Sequence, residues 1–380
     1  MSRRVAIMSR HAIGNYGSLL QAYALQTVLQ RLGHDPLYVD YRPHSDNAWC
    51  TCRTIMKASS KWNRNPLTRL AYLAVRVPET AYRDWLFGSW RKRLLKVTNR
   101  KYRSHRPLSR RRPDADVYCT GSDQVWNVTG RGVIDPAYLF CFLPPNVPRF
   151  SYAASLGKAA LEEPDERKLR VGLKRYAAVS VREGFGVDTI EAMGYSATHV
   201  LDPTMLLCSD DWASLMPSDT PESRYVLAYQ MHWTKESDDW ARRVSDTLGL
   251  ELIRITTSFH DRVRAQGKVL VLPTVGEFLW YVRNADLVLT DSFHGTAFSI
   301  VFNRPFLEIL PSKYPQRNLD LLNSLGLTDR VVTVASDPTV ALSGLDYRPV
   351  NQVLDQRREE SLSFLRESLA ACGREVGLVD

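Results

Sequence analysis

The sequence predicts an α/β protein made of two Rossmann-like halves, and three observations predict it. Short apolar runs alternate with amphipathic stretches from end to end, glycine-bearing loops follow several of those runs, and 380 residues exceed what one ordinary core organises. The opening unit shows the pattern. Val5-Ala-Ile-Met8 reads as a strand and His11-Ala-Ile-Gly-Asn-Tyr-Gly17 as a loop. From about Ser18 a helix carries Leu19, Ala22, Tyr23, Leu25, Gln26 and Leu29 at helical spacing. Gly33 stops that helix, and residues 36–41 read as the second strand.

The alternation breaks near Arg42 and resumes at Asp116; between them, helices are predicted over 67–77 and 80–96. Strands follow at 117–120, 149–153, 177–181 and 198–201, with helices over 165–176 and 186–193. Ser, Asp, Pro and Thr cluster at 208–224, a boundary signal. Beyond it come strand 225–229, helix 235–248, strand 250–256, helix 275–284, a buried strand at 285–290, helix 297–303, strand 305–310 and a last helix over 351–371. The expected plan is a first domain over 1–210 with a basic helical insertion at about 43–113. A second domain spans 220–348, and a terminal helix at 350–380 packs back on the first.

Composition narrows the class. With 44% hydrophobic and 24% charged residues the chain has globular proportions. No apolar run approaches the roughly 18–20 residues that span a bilayer, and residues 5–8 are too short for a secretory leader. The expected location is the cytoplasm. Cys50, Cys52, Cys119, Cys141, Cys208 and Cys372 match no zinc spacing and read as small buried hydrophobes in a reducing compartment. The net charge of +9 is unevenly spread: residues 53–112 hold 5 Lys and 13 Arg against Glu79 and Asp84. Trp62, Tyr72, Tyr82, Trp85, Trp90 and Tyr102 are interleaved there. Such a segment suits an anionic membrane surface better than nucleic acid, and is the basis of a non-enzymatic reading as a basic surface-binding protein.

Five motifs stand at strand ends. Asp291-Ser-Phe-His-Gly-Thr296 lies between a buried strand and a helix, where free N–H groups favour an anion and His294 is suited to proton transfer. Gly295 is expected to let a ligand approach the backbone. Gly14-Asn-Tyr-Gly17 can wrap an anion or a sugar hydroxyl; it is not the dinucleotide fingerprint, so a nicotinamide cofactor is not implied. Gly121-Ser-Asp-Gln-Val-Trp-Asn127 offers Asp123, Gln124 and Trp126 as a carbohydrate surface. Val181-Arg182-Glu183 delivers a guanidinium suited to carboxylate or phosphate. Leu201-Asp-Pro-Thr204 reads as a turn.

In this order the pieces resemble the polysaccharide pyruvyl transferase family. They are Gly14 to Leu25, Gly121 to Trp126, Ser151-Tyr-Ala-Ala-Ser155, Ser180-Val-Arg-Glu183, Val200-Leu-Asp-Pro-Thr204 and the stretch from Ala285 to Thr296. The resemblance implies a GT-B-like fold. It implies transfer of the enolpyruvyl unit of phosphoenolpyruvate to a sugar of a cell-surface polysaccharide or glycolipid precursor, giving a pyruvate ketal without a cofactor or obligatory metal. On that pattern His294 is the acid/base. Arg182, Ser292, Gly295 and Thr296 bind the donor, while Asn15, Tyr16, Gln21, Asp123, Gln124 and Trp126 bind the acceptor. Many family members carry Arg-Leu-His-Gly where this chain has Ser292-Phe-His-Gly295, so Arg317 or Lys313 would supply the missing charge. The enzymatic alternative is a GT-B glycosyltransferase using a nucleotide sugar.

Overall fold

A computed structural model describes residues 2–127, 133–219, 223–311 and 314–373. The chain divides into two compact units, Met1–Pro203 with Glu360–Asp380, and Thr204–Glu359.

The first unit opens with β1 (Arg4–Met8), α1 (Tyr16–Arg31) and β2 (Asp35–Tyr38). The insertion then forms α2 (Ala48–Ala58), α3 (Pro66–Leu94) and α4 (His105–Arg110). The alternation resumes with β3 (Val117–Thr120), β4 (Arg149–Ser151), α5 (Glu163–Leu173), β5 (Ser180–Val181), α6 (Gly184–Glu191) and β6 (Thr198–His199). The main sheet is parallel in the order β2-β1-β3-β4, with Ala6 opposite both Leu37 and Tyr118. Residues 5–8 of β1 are all fully buried, as a central parallel strand covered on both faces requires. The path reverses between β1 and β3, so the crevice beyond the carboxyl ends of those strands is where a ligand belongs.

The insertion departs from expectation. Residues 67–77 and 80–96 read as two helices, but α3 is one 29-residue helix that contains Pro78. Pro66 at its first position and an Asn65–Thr68 capping box start it. It survives Pro78 because Ala74 and Pro78 are both exposed, so the carbonyl deprived of its donor meets water. The other side of α3 is pinned. Arg91 grips Asp40 with two bonds, of 2.7 and 3.1 Å, while Phe87 and Trp90 lie 5.0 and 6.1 Å from the Tyr16 ring. Helix α2, absent from the sequence reading, packs on it through Cys52 and Met56 against Tyr72.

The second unit contains α7 (Ser209–Ala213), β7 (Tyr225–Tyr229), α8 (Lys235–Leu248), β8 (Glu251–Thr256), α9 (Asp261–Arg264) and β9 (Lys268–Val271). It continues with α10 (Val275–Asn284), β10 (Leu287–Thr290), α11 (Phe293–Val301), β11 (Phe306–Ile309), α12 (Gln316–Ser324), β12 (Val331–Val332) and α13 (Tyr347–Ala371). Its six strands are parallel in the order β12-β11-β10-β7-β8-β9, the doubly wound arrangement, with the reversal between β7 and β10. Val226, Ala228, Leu252, Leu289 and Leu307 from the sheet meet Trp240 and Val244 of α8 in the core. The final residues of α13 count with the first unit, where Ser361 accepts from the Leu201 N–H at 3.0 Å.

All six cysteines are free; Cys52, Cys119 and Cys372 are buried as expected, but Cys141 and Cys208 are exposed at loop positions. Among the described residues no helix is long and apolar enough to cross a membrane.

Candidate active site

In the second unit the residues around the reversal are set by the end of β10. The Thr290 hydroxyl donates to the Tyr229 carbonyl at 2.7 Å and accepts from the Ser292 N–H at 3.0 Å. This turn makes Ser292 the N-cap of α11, its hydroxyl accepting from the Gly295 N–H at 3.4 Å. His294 therefore stands in the first helical turn, at the positive end of the helix dipole. It is 9% exposed, its ring edge-on to Phe293 with centroids 5.3 Å apart.

A second histidine belongs to the same loops. Asp291 accepts from the backbone N–H groups of Met231 (2.5 Å) and His232 (2.8 Å), and its Oδ2 lies 3.0 Å from His232 Nδ1. The carboxylate fixes the ring, and the His232 side chain remains 55% exposed. A carboxylate-oriented imidazole of this kind can take up and return a proton through its other nitrogen.

Beneath these residues lies Glu308, at the end of β11. Burial pushes its carboxyl up to about 8, against hydrogen bonds from Thr296 and Asn318, with the nearby Asp291 charge adding to the rise. Thr296 and Asn318 both bond to it, and Asn318 Nδ2 is also 3.5 Å from the Asp291 carbonyl. Glu308 thus ties β11, α11 and α12 together under the histidine loop.

The first unit carries a cleft of about 310 Å³ beyond the carboxyl ends of β1 and β2, beside α3. Arg10, Arg42, Lys101 and Arg103 line it with Asp46 and Tyr138. Burial works against the Arg10 charge, but Tyr138 and the carboxylates Asp46, Asp123 and Asp135 more than offset that and raise it. Arg42 lies 3.0 Å from Asp40, whereas Lys101 and Arg103 are exposed and make no ion pair among the described residues.

The profile of the polysaccharide pyruvyl transferases matches residues 15–312, which include the switch loops of both units. The chain belongs to the polysaccharide pyruvyl transferase family. It is a transferase, then, and similar solved structures place it on the GT-B plan. A UDP-N-acetylglucosamine 2-epimerase from Rickettsia bellii aligns with a TM-score of 0.55 at 10% identity, covering 99% of each chain. The UDP-GlcNAc 2-epimerase from Neisseria meningitidis bound to UDP-GlcNAc gives 0.52 at 9%, over 97% of this chain and 99% of that one. UGT89C1 of Arabidopsis thaliana complexed with quercetin gives 0.51 at 12%, over 98% and 100%. No curated protein matches the sequence.

Several residues of this transferase stand elsewhere than their motifs suggested. The expected helix start at 297 is in fact at Phe293, so His294 is inside the helix. Gly295 does not open the backbone to a ligand: a Cβ there would meet Thr290 Oγ1 at 2.3 Å, so glycine serves close packing on the strand. Thr296, two residues round the helix from His294, turns inward and donates to Glu308. Arg182 is buried between Asp202 (3.1 Å) and Glu183 (3.4 Å), its charge already met by protein carboxylates. Arg317 is half-buried at the second position of α12, next to Asn318. Lys313 lies outside the described residues.

The acceptor candidates are more enclosed than their motifs suggested. Tyr16, Gln21 and Trp126 are fully buried, Tyr16 under α3 and Trp126 in the core with its indole N–H 3.4 Å from the Tyr138 carbonyl. The Gly14 loop is itself covered, since a Cβ on Gly14 would meet Arg83 and Asp84 of α3 at 2.9 Å. Asn15 caps α1 through the Gly17 N–H at 2.8 Å. Asp123 sits at φ +76° and accepts from Ser18 Oγ at 2.6 Å, leaving Gln124 half-buried beside it. His232 was missed because it follows β7 without a glycine or a motif to mark it; asking which other strand ends carry a histidine would have found it.

Proposed function

We propose that this transferase moves the enolpyruvyl unit of phosphoenolpyruvate to two hydroxyls of a sugar, forming a cyclic ketal and releasing phosphate. The single observation that carries the reading is the family match across residues 15–312, whose histidine loop stands at the switch point of the second unit's sheet. In the reaction a proton is added to C3 of the enol as one sugar hydroxyl bonds to C2. The C2–O bond to phosphate then breaks, and the second hydroxyl closes the ketal. One hydroxyl proton balances the proton gained by C3, and the other leaves with phosphate. His294 supplies the C3 proton. His232, held by Asp291, accepts a hydroxyl proton. Arg317 and the start of α11 face the carboxylate and phosphate, the part an arginine beside the histidine plays in many relatives.

The acceptor belongs to the cleft of the first unit. Its Asp46 accepts sugar hydroxyls, and its Lys101 and Arg103, without an ion pair among the described residues, favour an anionic acceptor such as a sugar phosphate. No nicotinamide, flavin or obligatory metal enters this chemistry. The test is phosphate release and ketal mass gain from phosphoenolpyruvate with a panel of neutral and phosphorylated glycans. A folded protein that yields neither with any acceptor sinks the reading.

Ser292 supports a second reading, nucleotide-sugar glycosyl transfer, because the site loop presents a hydroxyl where an arginine would grip phosphoenolpyruvate. Stronger thermal stabilisation by a nucleoside diphosphate than by phosphoenolpyruvate would favour it.

A further inference from the structure

We propose that the outward face of α3 docks on an anionic lipid bilayer, holding the enzyme at a membrane surface independently of the reaction assigned above. The helix is apolar on two opposite sides. Tyr72, Phe87, Trp90 and Arg91 face the protein and are buried. Leu67, Leu70, Val75, Tyr82 and Trp85 face away, from 46% exposed at Tyr82 to 77% at Leu67. At about 100° per residue these five fall within roughly 140° of arc, joined there by Ala71, Ala74, Pro78 and Ala81. The strip runs for roughly 27 Å along the axis. Trp49 and Ile55 on α2 are more than half exposed as well. An apolar face this long has no place on a surface kept in water, and the described residues leave about half or more of each of these five side chains uncovered.

The charges around the strip identify its occupant. Arg53, Lys57, Arg64, Arg69, Lys92 and Arg93 are exposed and make no ion pair among the described residues. The segment's two acids are already engaged, Glu79 with Arg76 at 2.5 Å and Asp84 with Arg83 at 3.7 Å. Aliphatic and aromatic side chains rimmed by unneutralised cations match a layer of acyl chains beneath anionic headgroups. A second copy would set one strongly basic segment against another. Nucleic acid would use the cations and aromatic rings but gain nothing from Leu67, Leu70 and Val75.

The test is flotation of the full chain with vesicles of pure phosphatidylcholine and of phosphatidylcholine with about a third phosphatidylglycerol. The anionic vesicles should bind at least tenfold more protein, since each basic residue near the surface contributes about 1 kcal/mol, and high salt should narrow the gap. The variant Leu70→Glu/Trp85→Glu should stay in solution with an unchanged melting temperature, because both side chains are exposed. Lys92→Glu/Arg93→Glu should lose the anionic preference and keep residual binding. The proposal is overturned if the wild-type chain ignores both vesicles, or if Leu70→Glu/Trp85→Glu floats as well as wild type. It is equally overturned if that variant turns a dimer into a monomer in sedimentation, or if the face binds RNA in preference to lipid.

Discussion

The two units present sheet reversals of the same kind and fill them differently. In the first, the residues after β1 are enclosed: His11 sits against Arg91, whose guanidinium holds Asp40, and Tyr16 is roofed by Phe87 and Trp90. In the second, the residues after β7 and β10 leave His294 just reaching the surface and His232 half exposed. The two strand-end histidines His11 and His294 are thus opposites. Burial, and after it the Arg91 charge, push His11 down to about 3, so it stays neutral and exchanges no proton near neutral pH. Polar groups whose partners are all internal hold an insertion in place; polar groups left at a crevice are available to a ligand.

The largest expected effect breaks the second unit's half of this contrast. His294→Gln keeps a similar volume and should lower the transfer rate by about 10²–10⁴-fold while leaving the melting temperature unchanged. His232→Gln and Asp291→Asn should each lose a similar, smaller factor, and combining them should add little, because both remove one oriented proton carrier. Additive losses would show that Asp291 acts through something other than His232.

The mirror experiment is in the first unit. Burial would raise the Asp40 carboxyl, but Arg91 and then Arg42 and His11 more than offset this and hold it below the usual carboxylate range. Arg91→Met leaves Asp40 buried with Arg42 alone, and should cost about 3 kcal/mol of unfolding free energy, the low end for a broken buried pair. Arg91→Met with Asp40→Asn should recover much of that. Denaturant unfolding measures both, and an unchanged midpoint for the single variant would mean that the insertion is not anchored there.

The same contrast explains what could be read from sequence. The strands and helices of both sheets were legible because parallel strands are continuous apolar runs and their helices carry a clear period. The short β9 and β12 and the helices α2 and α12 were not, since tertiary packing rather than local pattern makes them. The Asp291–Thr296 loop was legible because a buried strand, a capping serine and a helix surround it. Which side chains of the first unit's motifs reach solvent was not. Tyr16, Gln21 and Trp126 look available in a motif, but Phe87 and Trp90 of the insertion, 71 and 74 residues downstream in the sequence, cover one and the core takes the others. Whether a polar or aromatic side chain faces solvent is a long-range fact that spacing does not encode.

A pH series sharpens the comparison, because the two units titrate with opposite slopes. Glu308 is held protonated in the folded state, up to about 8 from the usual 4.5. The folded chain therefore binds the extra proton, and this contribution is full below pH 4.5 and lost as the pH rises to about 8. His11 runs the other way: its contribution is full above the unfolded value of 6.5 and lost as the pH falls towards 3. Glu308→Gln can still accept from Asn318 through its oxygen while its own amide N–H donates to the Thr296 hydroxyl, and it should flatten the alkaline decline, an effect on the order of a few kcal/mol across that window. Chemical unfolding at pH 5 and 8.5 is sufficient; an equal decline in wild type and variant would place the titrating group elsewhere.

The smallest effect asks whether the first unit is wholly given to structure. Lys101 and Arg103 line its cleft and, unlike Arg10 and Arg42, pair with no carboxylate among the described residues. They can be removed without disturbing the fold, because both are exposed and the Arg91–Asp40 anchor does not involve them. Lys101→Ala/Arg103→Ala should raise KM for a phosphorylated acceptor about tenfold, roughly two exposed charge contacts, with kcat nearly unchanged and KM for phosphoenolpyruvate unaffected. Raising the salt should erase the difference between wild type and variant, since exposed charges are screened. An equal rise in KM for a neutral acceptor would mean that the cleft selects by shape alone. A fall in kcat at constant KM would move these cations from holding the acceptor to the reaction itself, and the division of labour between the two units would have to be redrawn.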